Sequence, residues 1–371
     1  MAKNFPCPSC NADLEWSPGS GDLTCPYCGH VVKDEAPEPT TAGGPPAAYK
    51  PMAHFISEVD SWMRDNPGWG EAKKEIACGS CGASSEVEPH IEATSCPFCG
   101  SHQLTPNPSK YDALRPDAVA PFRIERSDAQ RKFREWLGGL WFRPNGLKEM
   151  AALGSVQGIY LPVWSIDAKT DTGWTAEKGT HYYETVKEKD DNGNTVERKE
   201  QKTKWTSASG RHSQQFDDVM INGSTGIEQE LFQTLQPFPL DKLTPYSPKF
   251  LQGFVAERYQ KGLDEGYELA KKIMEEIIEE KCEEKVGGDE VRNLEIKVRY
   301  YDGRFKLLLL PIWVAAYQYN GTPHRYLVNG LTGEASGTAP YSTAKIVGLI
   351  VAILAVLATI CLLYTSPSPR D

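Results

Sequence analysis

Eight cysteines carry the clearest chemistry in this 371-residue chain. They form four Cys-x-x-Cys pairs: Cys7 with Cys10, Cys25 with Cys28, Cys78 with Cys81, and Cys96 with Cys99. Fourteen residues separate the first pair from the second, and fourteen separate the third from the fourth, so the arrangement is an internal repeat. A tight turn between two such cysteines aims both sulfurs at one point. Two turns brought together by a short hairpin complete a tetrahedron of thiolates, the donor set that suits Zn²⁺. Disulfides and an iron–sulfur cluster are the rival uses of these residues. The opening MAKNFPCPSC has no apolar leader, which favours metal over disulfides. Two structural ions are expected, one on Cys7, Cys10, Cys25 and Cys28, the other on Cys78, Cys81, Cys96 and Cys99. Four sulfurs per ion leave no position open for water, so neither site is expected to be catalytic.

The elements that must position these sulfurs are small. Gly29, Gly82 and Gly100 follow their pairs, where a left-handed residue is required, and Asn11 holds the corresponding place after Cys10. The pattern resembles the zinc ribbon. Residues 1–32 are read as the first ribbon, 33–51 as a flexible linker rich in Pro, Ala, Gly and Thr, and 52–104 as a short helix plus the second ribbon. In that helix, Ala53 to Arg64, Phe55, Val59, Trp62 and Met63 recur at helical spacing. Modules of this size bury too little apolar surface to fold alone. Metal binding supplies roughly 10–16 kcal/mol of apparent folding energy in such cases. His30 and His102 lie beside the cysteines and are read as surface residues. Ile76 to Leu104 contains Glu86, Glu88 and Glu92 and no Lys or Arg; the first module sets Asp13, Glu15 and Asp22 against Lys3. Phosphate binding needs the opposite balance, so the ribbons are expected to hold protein or to act as scaffold. The whole chain carries −10, against general nucleic-acid binding.

Residues 110–340 read as an α+β body. A strand is expected over Pro116–Arg126, with Val119, Phe122 and Ile124 in the core. A helix follows to Leu137 with Phe133, Trp136 and Leu137 inward, and a shorter one spans Leu147–Leu153. Gly158 to Trp164 is a strand with Pro162 at an edge or bulge. Strand continues towards Val186, turns at Asp191-Asn192-Gly193-Asn194, and returns over Trp205–Met220. Ile227–Leu235 is helical. A long helix from Leu263 to Val286 turns Leu263, Tyr267, Ala270, Met274 and Ile277 inward and closes at Gly287-Gly288; Cys282 within it is read as inert. Val291–Tyr300 and Arg304–Tyr319 form a hairpin around Asp302-Gly303, and Tyr326–Val328 adds a strand. Leu310-Pro311-Ile312-Trp313 echoes Leu161-Pro162-Val163-Trp164, a second repeat that suggests two related β-rich halves.

Ile346 to Ile360, entered from Lys345, contains no charge. It is read as a single membrane-spanning helix over 345–360, with the body on the cytoplasmic side, where Lys345 accords with the positive-inside rule. Cys361 to Asp371, CLLYTSPSPRD, resembles the translation of a transposon-end sequencing adapter. It is set aside, and the apolar run is expected to continue in the natural protein. There is no phosphate-binding GxxxxGK[ST], no Gly-Lys dipeptide, and no HExxH, so an enzyme is not expected.

Taken together, the Cys-Pro-x-Cys-Gly turns, Leu161 to Ala168 (LPVWSIDA), Ala256-Glu257-Arg258-Tyr259, Leu310 to Trp313, Val328 to Glu334 (VNGLTGE) and the terminal apolar helix resemble one bacterial family. These are the TFIIB-type zinc-ribbon membrane proteins, often labelled primosomal protein N′-like or replication-helicase-like. The chain is also similar to the membrane-anchored zinc-ribbon partner of phage-shock protein A and flotillin-like (SPFH) operons. The helicase label does not fit a chain without the ATPase motifs. The resemblance implies an adaptor that holds coat-like or flotillin-like partners at the membrane. The alternative it leaves is a replication accessory that binds nucleic acid through its ribbons.

Overall fold

The computed structural model describes residues 5–33, 50–52, 74–87, 96, 98, 101, 103–107, 114–139, 143–144, 156–189, 195–319 and 322–365. The helices expected at 53–64 and 147–153 lie outside these residues, as does the turn at 191–194. Strands β1 (Glu15–Ser17), β2 (Asp22–Thr24) and β3 (Val31–Val32) form a small antiparallel sheet of their own. β4 (Lys50–Pro51) closes the segment read as linker and pairs with a strand of the body. β5 (Lys74–Cys78) lies between β6 (Ser84–Val87) and β7 (Leu104–Asn107), both antiparallel to it.

The body repeats one β–α–β–β unit. Its first copy is β8 (Ala118–Val119), α1 (Arg126–Gly139), β9 (Gln157–Lys189) and β10 (Thr195–Asn222). A connection with α2 (Gln229–Gln233) and β11 (Thr244–Pro245) follows. The second copy is β12 (Val255–Glu257), α3 (Leu263–Val286), β13 (Glu290–Tyr319) and β14 (Thr322–Asn329). β15 (Ala335–Gly337) and α4 (Thr343–Thr365) complete the described chain. β9 and β13 run antiparallel through the centre, with Leu161 opposite Leu310. About this pair the halves exchange their first strands. β8 lies parallel to β13 at Leu308 and Leu309, and β12 lies parallel to β9 at Ile159 and Tyr160. The two Leu-Pro-x-Trp segments therefore occupy equivalent places in a pseudo-two-fold arrangement.

Each proline in these segments sits inside the sheet, at a seam. Beside Pro162 the partner on one side changes from β12 at Tyr160 to β10 at Val163. Beside Pro311 it changes from β8 at Leu309 to β14 at Ile312. Proline has no N–H for a ladder, which is why an edge or bulge is the usual place for it; a change of partner gives it room in a central strand. Each proline carbonyl accepts the N–H of a glycine just past the returning strand, Gly223 at 2.9 Å and Gly330 at 2.8 Å. A Cβ at Gly330 meets Pro311 Cβ and the Phe122 ring at 2.8 Å, so that turn needs glycine, and one at Gly223 meets the Pro162 oxygen at a tight 3.1 Å. The preceding Asn222 and Asn329 hold them. Asn222 Oδ1 accepts the Ser224 N–H and Asn329 Oδ1 accepts the Leu331 N–H, both at 2.9 Å.

Two further expectations change. The hairpin around Asp302-Gly303 is a bulge within the single strand β13, where the register against β9 shifts between Tyr301 and Arg304. Asp302 has φ 53°, and its carboxylate pairs with Lys169 of β9 at 2.8 Å. An Asp-Gly signal reports left-handed backbone, which a bulge uses as readily as a turn. The strand expected over Pro116–Arg126 forms a ladder only at 118–119, although Val119 and Phe122 are buried.

α3 covers one face of the sheet with Leu263, Gly266, Ala270, Met274, Ile278, Cys282 and Val286 buried. Tyr267 and Ile277 stand half-buried at the flank of this stripe. α1 buries Phe133 and Leu137 and packs Phe133 and Trp136 at a tilt against Tyr326 of β14, with ring centroids 4.7 and 4.8 Å away. In α4, Thr343–Cys361 is long and apolar enough to cross a membrane, and none of it is buried against the body.

Candidate metal centres

The cysteine turns share one backbone geometry. The N–H of Cys7 donates to the Ala12 carbonyl, Cys25 to His30, Cys78 to Ala83 and Cys96 to Ser101, at 2.7 to 2.9 Å. Within the turns, the N–H groups of Asn11, Gly29 and Gly82 donate back to the carbonyls of Cys7, Cys25 and Cys78 at 2.9 to 3.0 Å. The residue that closes each of these turns is left-handed: Asn11 at φ 61°, Gly29 at 72° and Gly82 at 75°. Asn is one of the few side-chain-bearing residues that tolerates this region, so it replaces glycine after Cys10 without changing the turn.

These turns bring the sulfurs of Cys7, Cys10, Cys25 and Cys28 within 4.8 Å of one another, and likewise those of Cys78, Cys81 and Cys96. Cys99, the expected fourth member of the second set, lies outside the described residues. Across the pairs, Cys7 and Cys28 are 3.6 Å apart, Cys10 and Cys25 3.5 Å, and Cys81 and Cys96 3.7 Å. A disulfide requires about 2 Å. Sulfurs at the corners of a tetrahedron around a zinc-sized ion lie about 3.8 Å apart, from metal–sulfur bonds of roughly 2.3 Å. The spacing thus fits a cation between free thiols.

Ionisation points the same way. The Cys28 amide draws the Cys25 thiol down to about 7, against the effect of burial. The His30 amide acts likewise on Cys28, but the Cys10, Cys25 and Cys7 sulfurs outweigh it and push that thiol up to about 12. Four thiols this close resist ionising together, and a divalent cation among them removes the repulsion. His30 is not among the converging ligand atoms; its Nδ1 lies 3.0 Å from the Ser9 hydroxyl. His102 lies outside the described residues.

The two modules are fixed to the body differently. The first is docked by side chains. Trp16 is buried with Leu14 and Leu23, its ring meets Phe250 edge-on at 4.8 Å, and its Nε1 donates to the Phe122 carbonyl at 3.3 Å. Among the described residues one backbone bond, Trp16 N–H to the Gln252 carbonyl at 3.1 Å, joins it to the body. The second module is built into the body's sheet. β6 pairs antiparallel with β12, which in turn pairs with β9. Phe98, within the last cysteine pair, is fully buried. Arg325 of β14 donates from Nε to the Phe98 carbonyl and from Nη1 to Glu228, both at 2.7 Å. Beneath this joint lies Glu257, wholly buried, whose Oε1 accepts the Ser224 hydroxyl at 2.7 Å. Burial pushes its carboxyl up to about 8; the Ser224 hydroxyl opposes this and the nearby Cys81 thiol adds to it. Sequence reading singled out Ala256-Glu257-Arg258-Tyr259 only as part of a resemblance, and passed over Trp16 and Arg325.

The chain matches no known family model, and no solved structure matches it. A protein of Bacillus subtilis (strain 168), "Uncharacterized protein YdjG", is 25% identical over 358 residues, which cover 93% of this chain and 92% of its own length.

Proposed function

We propose that this protein is a single-pass membrane scaffold whose two cysteine modules are structural zinc ribbons, and that it holds cytoplasmic proteins at the membrane surface. The observation that carries the reading is the pairing of converging cysteine sulfurs with an apolar helix none of whose span is buried in the body. A four-sulfur site, Cys7, Cys10, Cys25 and Cys28, suits Zn²⁺ and leaves no position for a reacting water. The same role is assigned to Cys78, Cys81 and Cys96, with Cys99 as fourth ligand. A body in which β9, β10 and β13 each exceed 25 residues offers a long, rigid frame, and the acidic modules suit protein rather than phosphate. Coat-like and flotillin-like proteins are the partners this reading names.

The test is purification of the tagged chain from membranes, with elemental analysis and identification of what it retains. About two zinc per chain, resistance to extraction by alkaline carbonate, and a stable protein partner lost on Cys7→Ser or Cys78→Ser support the scaffold. Recovery in the soluble fraction, or nucleic acid in place of protein, overturns it.

A further inference from the structure

The base of α4 gathers two cations and a tyrosine from distant parts of the chain. Lys345 is the last charged residue before the apolar run, so in a membrane its ammonium lies at the level of the lipid headgroups. Its Nζ donates to the Arg143 carbonyl at 2.8 Å, a contact across 202 positions of sequence. The Arg143 guanidinium lies over the Tyr341 ring, 3.7 Å from its centroid, and its Nη1 donates to the Ala339 carbonyl. The body therefore delivers an arginine to the depth that the helix sets for Lys345. A guanidinium carries five N–H donors in a fixed fork. Arg143 is only half-buried and pairs with no carboxylate among the described residues. Tyr341 is largely exposed, as an aromatic at a membrane interface is.

We propose that Arg143, Lys345 and Tyr341 form a headgroup site for an anionic phospholipid, with the phosphate held by the Arg143 fork and the Lys345 ammonium. The inference rests on the membrane reading above. Charge supports it. The chain carries −10, so an anionic leaflet repels the body as a whole, whereas this pair of cations faces that leaflet at the one place where the body must meet it. A planar, doubly donating arginine beside a point-charge lysine suits a phosphate monoanion.

The full chain, purified in detergent and offered equal amounts of phosphatidylglycerol and phosphatidylcholine, is weighed with its retained lipids by native mass spectrometry. We expect phosphatidylglycerol to be retained in preference, by about tenfold. Arg143→Gln, which can still donate to Ala339, and Lys345→Gln should each bring the ratio towards parity; Arg143→Lys should keep part of it. Unchanged circular dichroism and metal content show that these variants are folded. Parity in the unaltered chain overturns the proposal and leaves Arg143 to an acidic protein partner. A preference indifferent to both Gln variants, or one abolished by excess inorganic phosphate, also overturns it. Failure of the membrane reading has its own signature, release by alkaline carbonate, so the two failures are distinguishable.

Discussion

The two cysteine modules have the same spacing and the same turns, yet one is an appendage and the other is part of the sheet. The first keeps a private three-stranded sheet and attaches through a shared hydrophobic cluster centred on Trp16 and, among the described residues, a single backbone bond. The second hands β6 to β12 and has its last cysteine turn held by Arg325. A repeated local motif therefore does not dictate a repeated role. The first module shares a hydrophobic cluster with the body but no strand ladder, so losing its metal is expected to disturb the body less than losing the metal of the second.

Breaking a metal site of each kind is the sharpest test and carries the largest effect. If the second cluster holds a metal as proposed, Cys78→Ser should cost it and much of the body's stability together, because metal binding contributes roughly 10 kcal/mol of folding energy in such modules and this one joins the body's sheet. Cys7→Ser should remove one metal equivalent and leave the body's melting temperature within a few degrees, since about 1 kcal/mol shifts a large domain by roughly 2–4 °C. Thermal melting with elemental analysis compares them, and equal losses of stability contradict the distinction. Next comes Trp16→Ala. Loss of this buried ring should cost about 3–5 kcal/mol of docking, seen as faster amide exchange in β1 to β3 with the metal content unchanged.

Glu257 tests the joint of the second module by pH. Its folded-state carboxyl is raised from 4.5 to about 8. The stability it contributes is complete below 4.5 and is lost as pH rises towards 8, because the unfolded state releases its proton first. Glu257→Gln, which imitates the protonated form, should flatten that decline and stabilise the protein by about 2–3 kcal/mol at neutral pH. A denaturant series across this range reads it, and an unchanged slope removes Glu257 from the joint's energetics. Arg325→Ala is the smallest, about 1–3 kcal/mol, from a buried carbonyl left without its donor. Its effect should fall on the second module alone, in exchange at β5 and β6 rather than at β1 to β3.

Much of this was legible in the residues. The cysteine turns are governed by local rules, so spacing alone predicts which sulfurs converge, and Asn11 in place of glycine was readable as a left-handed residue. α3 was legible because its stripe is long and periodic, although Ile278 rather than Ile277 faces inward. Where a signal has two structural uses, sequence misled: Asp302-Gly303 is a bulge, and Pro162 lies at a seam inside the sheet rather than at its edge.

The sequence by itself determined the four cysteine pairs, the glycine and asparagine that close their turns, the paired Leu-Pro-x-Trp segments and the apolar terminal helix. Each of these depends on residues within a few positions of one another. Only the tertiary structure decided that β8 and β12 cross to the opposite halves, that one module docks while the other joins the sheet, and that Arg143 meets Lys345. Those contacts join residues about 90 to 230 positions apart. They are set by which strand edges and apolar faces remain uncovered once the local elements have formed, and no short window of sequence contains that information.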